Sequence, residues 1–107
     1  MALTPDIGAG TTRGFVTLAA SGQVVAAVAG KRIRVFALVT SALLACNVKF
    51  QSNTTDITAA FPLAANGGFV MPAIGQAWFV TATGEALNLV MSLATSVAVQ
   101  VIYDVVE

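Results

Sequence analysis

A side-chain period of two constrains this chain more than any other feature. In the closing segment VAVQVIYDVV, residues 97 to 106, Val97, Val99, Val101, Tyr103 and Val105 alternate with Gln100 and Asp104. Alternation of this kind puts every second side chain on one face of an extended strand, whereas a helix repeats every 3.6 residues. The same period runs through ALNLVMSL (86 to 93), where Leu87, Leu89, Met91 and Leu93 oppose Asn88 and Ser92, and through CNVKFQ (46 to 51). In IRVFALVT (33 to 40) it sets Ile33, Val35, Ala37 and Val39 against Arg34, Phe36, Leu38 and Thr40. GFVTLAA (14 to 20) and QVVAAVA (23 to 29) are separated by Ser21-Gly22, which predicts a hairpin.

Shorter candidates, TTDITAAF (54 to 61), GGFVMP (67 to 72) and AWFVTAT (77 to 83), are bounded by Asn53, Pro62, Asn66-Gly67-Gly68, Pro72, Gly75 and Gly84. Eight or nine short strands with turn signals every roughly 8 to 12 residues predict an all-β chain, an antiparallel β-sandwich. Eight strands of similar length divide into two four-stranded sheets, which favours a jelly-roll-like order over an immunoglobulin-like one. Helix is the rival at 86 to 94, where Leu87, Val90, Met91 and Ala94 also fit a helical stripe. No capping box precedes that stretch, and the alternation selects a strand.

The run from Val35 to Val48 carries no charge and is fenced by Arg34 and Lys49. It is shorter than the roughly 18 to 20 apolar residues a membrane helix needs, and it contains Thr40, Ser41 and Asn47. Two strands joined by a turn near SALLA account for it. No membrane partner is expected, and residues 1 to 14, MALTPDIGAGTTRG, do not have the layout of a secretory signal.

Composition bears on what such a sandwich leaves outside. Hydrophobic residues make up 57% of the 107 and charged residues 9%, against about 25% charged in an ordinary soluble domain. A single domain of this size hides only roughly 60 to 70% of its unfolded surface, so part of the apolar surplus is expected between subunits. The formal net charge is zero, which removes a barrier to self-association. Residues 1 to 14 lack apolar periodicity and predict an extended arm that orders on a partner, or else a merely frayed terminus, ahead of a single domain at 15 to 107. Its candidate contact residues are Leu3, Thr4, Pro5, Ile7, Thr11, Thr12 and Arg13.

No catalytic constellation is visible. The chain has no histidine and one cysteine, Cys46, which excludes an internal disulfide and the commonest general base. Asp6, Asp56, Glu85, Asp104 and Glu107 are scattered; acid and base work on a glycosidic bond would need two of them, for instance Asp56 and Glu85, to face one substrate. ANGGF (65 to 69) lacks the Lys-Ser/Thr of a phosphate loop and reads as a turn with positive φ. Lys31, Arg32 and Arg34 form a candidate charged interface. With Phe36, Arg32 and Arg34 would line a strip, but five basic residues meet five acidic ones, and nucleic-acid domains carry a basic excess. Strand-edge protection or an ion pair with a partner subunit is the expected role, with no nucleic acid and no cofactor.

The run GKRIRVFALVTSALLACNVKFQSNTTDITAAFPLAANGGFVMP, followed by WFVTATGEALNLVMS and VQVIYDVV, resembles small virion proteins encoded near the capsid genes of tailed bacteriophages. The resemblance covers about residues 15 to 107 and rests on the layout KRIRV, then PLAANGGF, then GEALNL. It implies a β-sandwich that decorates or cements a capsid, commonly as a trimer, with the major capsid protein as partner. The place it implies is the capsid surface of a virion, after synthesis in the host cytoplasm. The alternative is a carbohydrate- or receptor-binding module of a phage tail or adhesion assembly, with Trp78, Phe79, Phe69 and Tyr103 as an exposed platform.

Overall fold

The computed structural model describes residues 11–107, in which ten strand segments form two antiparallel sheets. The front sheet contains β1 (Thr12–Leu18), β10 (Val97–Val106), β3 (Arg32–Ala42), β7 (Gly67–Met71) and β8 (Phe79–Val80). The back sheet contains β2 (Gly22–Val25), β9 (Leu87–Met91), β4 (Cys46–Ser52), β5 (Thr55–Asp56) and β6 (Phe61–Leu63). The segment at 86 to 94 contributes strand β9, not a helix.

Two pairs of segments are halves of interrupted edge strands. β7 pairs with Leu38–Ala42 and β8 with Arg34–Val35 along the same side of β3. β5 pairs with Gln51–Ser52 and β6 with Cys46–Val48 along the same side of β4. Counted as single runs, they leave eight strands in the orders first, eighth, third, sixth and second, seventh, fourth, fifth. That order is a jelly roll.

This topology corrects the expected hairpin. β1 and β2 follow one another through Ser21 but lie in opposite sheets, as do β3 and β4, so the chain crosses the sandwich at both turns. Short turn signals specify a reversal; they do not specify whether the returning strand pairs beside its predecessor or packs across from it. Residues 26–30 continue as loop, not strand.

The alternation in β3 is also broken. Val35 pairs with Tyr103 and Ala37 with Ile102, so Phe36 is an extra residue in a β-bulge. Ile33 and Val35 point into the core before the bulge and Leu38, Thr40 and Ala42 after it, whereas uninterrupted alternation predicts Ala37 and Val39 inside. Val39 is instead on the outer face, 49% exposed.

The expected boundary at residue 15 moves as well. Thr12, Arg13 and Gly14 belong to β1, in register with Tyr103, Ile102 and Val101. Gly14 brings no side chain, but a Cβ there would lie 3.2 Å from Cε1 of Tyr103, so the Tyr103 ring covers the glycine from the next strand. Apolar cover supplied by a neighbour leaves no periodic trace in TTRG itself. Leu3, Thr4, Pro5 and Ile7 lie outside the described residues.

The core forms where the inward sides of the two sheets meet. Ile33, Val35, Leu38, Val97, Val99 and Val101 face Val48, Phe50, Leu87, Leu89 and Met91, all of them buried. The Phe50 and Phe79 rings stack across the interface with centroids 5.5 Å apart. Phe61 on β6 and Phe69 on β7 meet at 4.9 Å and close the sandwich between its two interrupted edges. Burying a side chain of this size is worth about 1.5 to 3 kcal/mol, so the alternating positions supply the main drive for folding.

Candidate interaction surface

The sandwich has two unlike outer faces. On the back sheet the outward positions include Gln23, Asn47, Lys49, Gln51, Asp56 and Asn88, with only Pro62 and Val90 as apolar interruptions. Lys49 Nζ reaches Asp56 Oδ2 at 3.1 Å and Gln51 Nε2 donates to Asp56 Oδ1 at 2.7 Å. Both contacts hold the Asp56 carboxyl below its usual pKa, the Gln51 hydrogen bond contributing most. Such a face is at ease in water.

The front sheet differs. Its outward residues, by register, are Arg13, Phe15 and Thr17 on β1; Ala98, Gln100, Ile102, Asp104 and Val106 on β10; Arg32, Arg34, Ala37, Val39 and Ser41 on β3; Gly68 and Val70 on β7; and Val80 on β8. Phe15 is 80% exposed and Val70 60%. The rows of Phe15 and of Thr17 carry no charge, and Arg13 stands in the next row with Ile102 and Ala37. Four strands at about 4.8 Å and seven residues at about 3.4 Å give this face a plan of roughly 20 × 24 Å, so its apolar part is larger than the scattered single residues that need no explanation.

A hollow of about 270 Å³ opens in that face, lined by Phe15, Thr17, Val39, Ser41, Ala98 and Gln100. It exists because interior strands β10 and β3 present small side chains, Ala98 and Ser41, next to the tall Phe15 and Val39. Ser41 and Ala98 also border a second hollow with Leu43, Asn66 and Ser96, which carries the surface over the end of the sandwich. There Leu43, Leu44 and Leu93 are all about half exposed.

Of the charged candidates, Arg32 and Arg34 share the outer face of β3, as alternation predicts, but each is engaged within the chain, and Lys31 lies off the strand. Arg34 makes two hydrogen bonds to Asp104, Nε to Oδ1 at 2.9 Å and Nη2 to Oδ2 at 2.6 Å, and its guanidinium carbon lies 5.3 Å from the Phe36 ring centre. The Asp104 hydrogen bond raises the Arg34 pKa further above its ordinary value. Its acidic partner is thus in the same chain, and β3 is an interior strand, so edge protection is not its role. Arg32 Nη2 donates to the carbonyl oxygen of Glu107 at 3.3 Å. Lys31 precedes β3 and is half-buried, its backbone N–H bonded to the Val28 carbonyl.

The carboxylates are likewise engaged apart. Glu85 accepts the Ser52 hydroxyl proton at 2.5 Å while Ser52 Oγ accepts from the Ala82 N–H at 2.8 Å, tying the end of β4 to the loop before β9. Asp56 is held by Lys49 and Gln51. Cys46 is buried in the core. Among the described residues no group of three or more His, Cys, Asp or Glu could hold a metal ion, and no helix is long and apolar enough to cross a membrane.

The aromatic platform does not assemble. Of Trp78, Phe79, Phe69 and Tyr103 only Trp78 is exposed, and its indole N–H donates to the Pro72 carbonyl at 2.7 Å. Phe15, the most exposed aromatic ring, carries no mark in the sequence that separates it from a core residue. The one usable signal was its neighbour: an apolar position on a strand whose opposite-parity positions, Val16 and Leu18, are apolar too.

No family model, curated protein or solved structure matches this chain.

Proposed function

We propose that the chain is a non-catalytic structural protein of a tailed-phage virion, a decoration or cement protein that self-associates and binds the major capsid protein at the capsid surface. The observation that carries this reading is the unlike pair of outer faces. A jelly roll with a polar back and a broad apolar front keeps a surface that costs free energy in water and gains it back against protein. The resemblance of the sequence to small virion proteins supports the same reading and implies a trimer.

Cementing requires no chemistry at a bound substrate. A protein that binds the closed lattice and not its separated subunits stabilises the lattice by mass action, and an oligomer that touches several capsid subunits at once gains effective concentration at each further contact. In this reading the arm would add contacts with the capsid, through Leu3, Thr4, Pro5, Ile7 and Thr11. Thr12 and Arg13 are ladder residues of β1, so a clean truncation removes residues 2–10 only.

The test mixes purified protein with phage heads that lack it and counts bound copies by quantitative mass spectrometry. Saturation at a fixed number per capsid subunit is expected, with at least tenfold weaker occupancy for the 2–10 deletion. Equal occupancy by the deletion variant removes the arm from the account. Heads that bind no wild-type protein overturn the decoration reading.

A further inference from the structure

We propose that the outer face of the front sheet is a two-fold interface between copies of this chain, with Phe15 of each copy seated in the other's hollow. This rests on the self-association part of the reading above and departs from the trimer that the resemblance implies.

The face carries a projection and a recess side by side. Phe15 stands 80% exposed in the middle of β1, and the hollow next to it has about 270 Å³ of space over Thr17, Ala98 and Ser41. These three belong to one transverse row, since Thr17 pairs with Ala98 and Ala98 with Ser41. An axis in the plane of the interface, running across the strands at the level of Val16, exchanges the row of Phe15 with the row of Thr17. Each Phe15 then meets Thr17 and Ala98 of the other copy. A surface that holds both knob and recess is complementary to itself, and a two-fold axis makes both contacts at once.

Charge points to the same occupant. The rows of Phe15 and Thr17, which the axis lays on one another, hold no ionised group, so a nucleic acid or a strongly charged peptide finds nothing to pair with there. The ionised groups, Arg13, Arg32 and the Arg34–Asp104 pair, lie in the rows beyond Phe15, toward one end of the face. The proposed axis sends the two charged ends to opposite sides, and like charges are not opposed.

Area sets the strength. An axis at Val16 opposes residues 14–18 of β1 to their own copies, a plan of about 330 Å² from the strand spacing, which falls short of the ~800 Å² that a standard interface buries on each partner. The dimer is therefore expected to dissociate on dilution, not to be obligate.

Sedimentation velocity over a concentration series tests the interface with Phe15→Glu, which removes the knob, and Ala98→Trp, which fills the recess. Gln23→Glu on the back sheet is the control. All three positions are exposed, and circular dichroism and melting curves establish that each variant folds. The expected result is a wild-type and control mass that rises from 10.9 kDa to twice that value. Both front-face variants should shift the midpoint at least tenfold to higher concentration. A trimer would leave self-association standing and overturn the two-fold face. A dimer indifferent to both front-face variants would place the interface elsewhere and overturn the proposal. A wild-type monomer at every concentration would overturn both the proposal and the self-association on which it rests.

Discussion

Arg34 and Asp104 face each other across the β3–β10 ladder and close a two-bond ion pair, 2.9 and 2.6 Å, at one end of the front sheet. The Asp104 side chain is 15% exposed, against 53% for Asp56 in the Lys49–Asp56 pair. A two-point pair with a shielded carboxylate is screened less than a one-point pair in solvent. Asp104→Ala is expected to lower the melting temperature more than Asp56→Ala does, and its effect should survive high salt better. Thermal melts of both variants at low and high ionic strength check the ranking.

Gly68 sits where β7 passes closest to β3. A Cβ at this position would overlap the Thr40 carbonyl oxygen and come within 2.9 Å of Ser41 Cα, both fixed backbone. Neither neighbour can swing aside, so Gly68→Ala must push the edge strand outward. A destabilisation of roughly 2 to 3 kcal/mol is expected from such overpacking, read as a lower urea midpoint. An unchanged midpoint would mean that β7 is not held against β3 as described.

Thr95 Oγ1 is buried without a hydrogen-bond partner among the described residues. Its side chain is 7% exposed, in the turn before β10. Replacing the hydroxyl by a methyl removes an uncompensated polar group and keeps the shape, so Thr95→Val should be neutral or stabilise by about 1 kcal/mol. By contrast Thr40→Val removes a donor whose hydroxyl bonds the Ala98 carbonyl at 3.0 Å, and is expected to destabilise. Opposite signs for the two substitutions in urea denaturation would support this distinction; equal losses would refute it.

Asp56 gives the chain an acid-sensitive contact. Its folded pKa is lowered from the usual 3.8 by hydrogen bonds from Gln51 and Lys49. The unfolded chain therefore binds the proton more tightly, and the stabilisation is present above the unfolded value and lost as pH falls through the folded one. Wild type should lose its advantage over Asp56→Asn as pH falls through and below 3.8, and keep a constant advantage above about pH 5. Urea midpoints of both proteins over that range measure it.

Strand content was legible because the core requires it. Leu87, Leu89 and Met91, and Val97, Val99 and Val101, are buried as their alternation predicts. The jelly-roll order agrees with the expectation, but its premise of runs similar in length fails, since β2 has 4 residues and β3 has 11, and nothing local encodes the order. What escaped the sequence depends on neighbours distant in the chain. The bulge at Phe36 is set by β10 across the ladder, and the strand character of Thr12–Gly14 by the Tyr103 ring. Phe15, Val39 and Val70 read as core residues because apolar side chains look alike whichever side of a sheet they occupy. Only the register of β1, β10, β3 and β7 places them together on the outside.

The measurement that most directly tests this sidedness is methyl-resolved NMR of the wild-type chain across a dilution series. Association through the front sheet predicts concentration-dependent shifts or broadening at Val39, Val70 and Ala98, while Val90 on the back sheet keeps a constant signal. Constant signals at the three front-sheet methyls, or equal changes at Val90, would contradict the account that copies of this chain associate through the apolar front face.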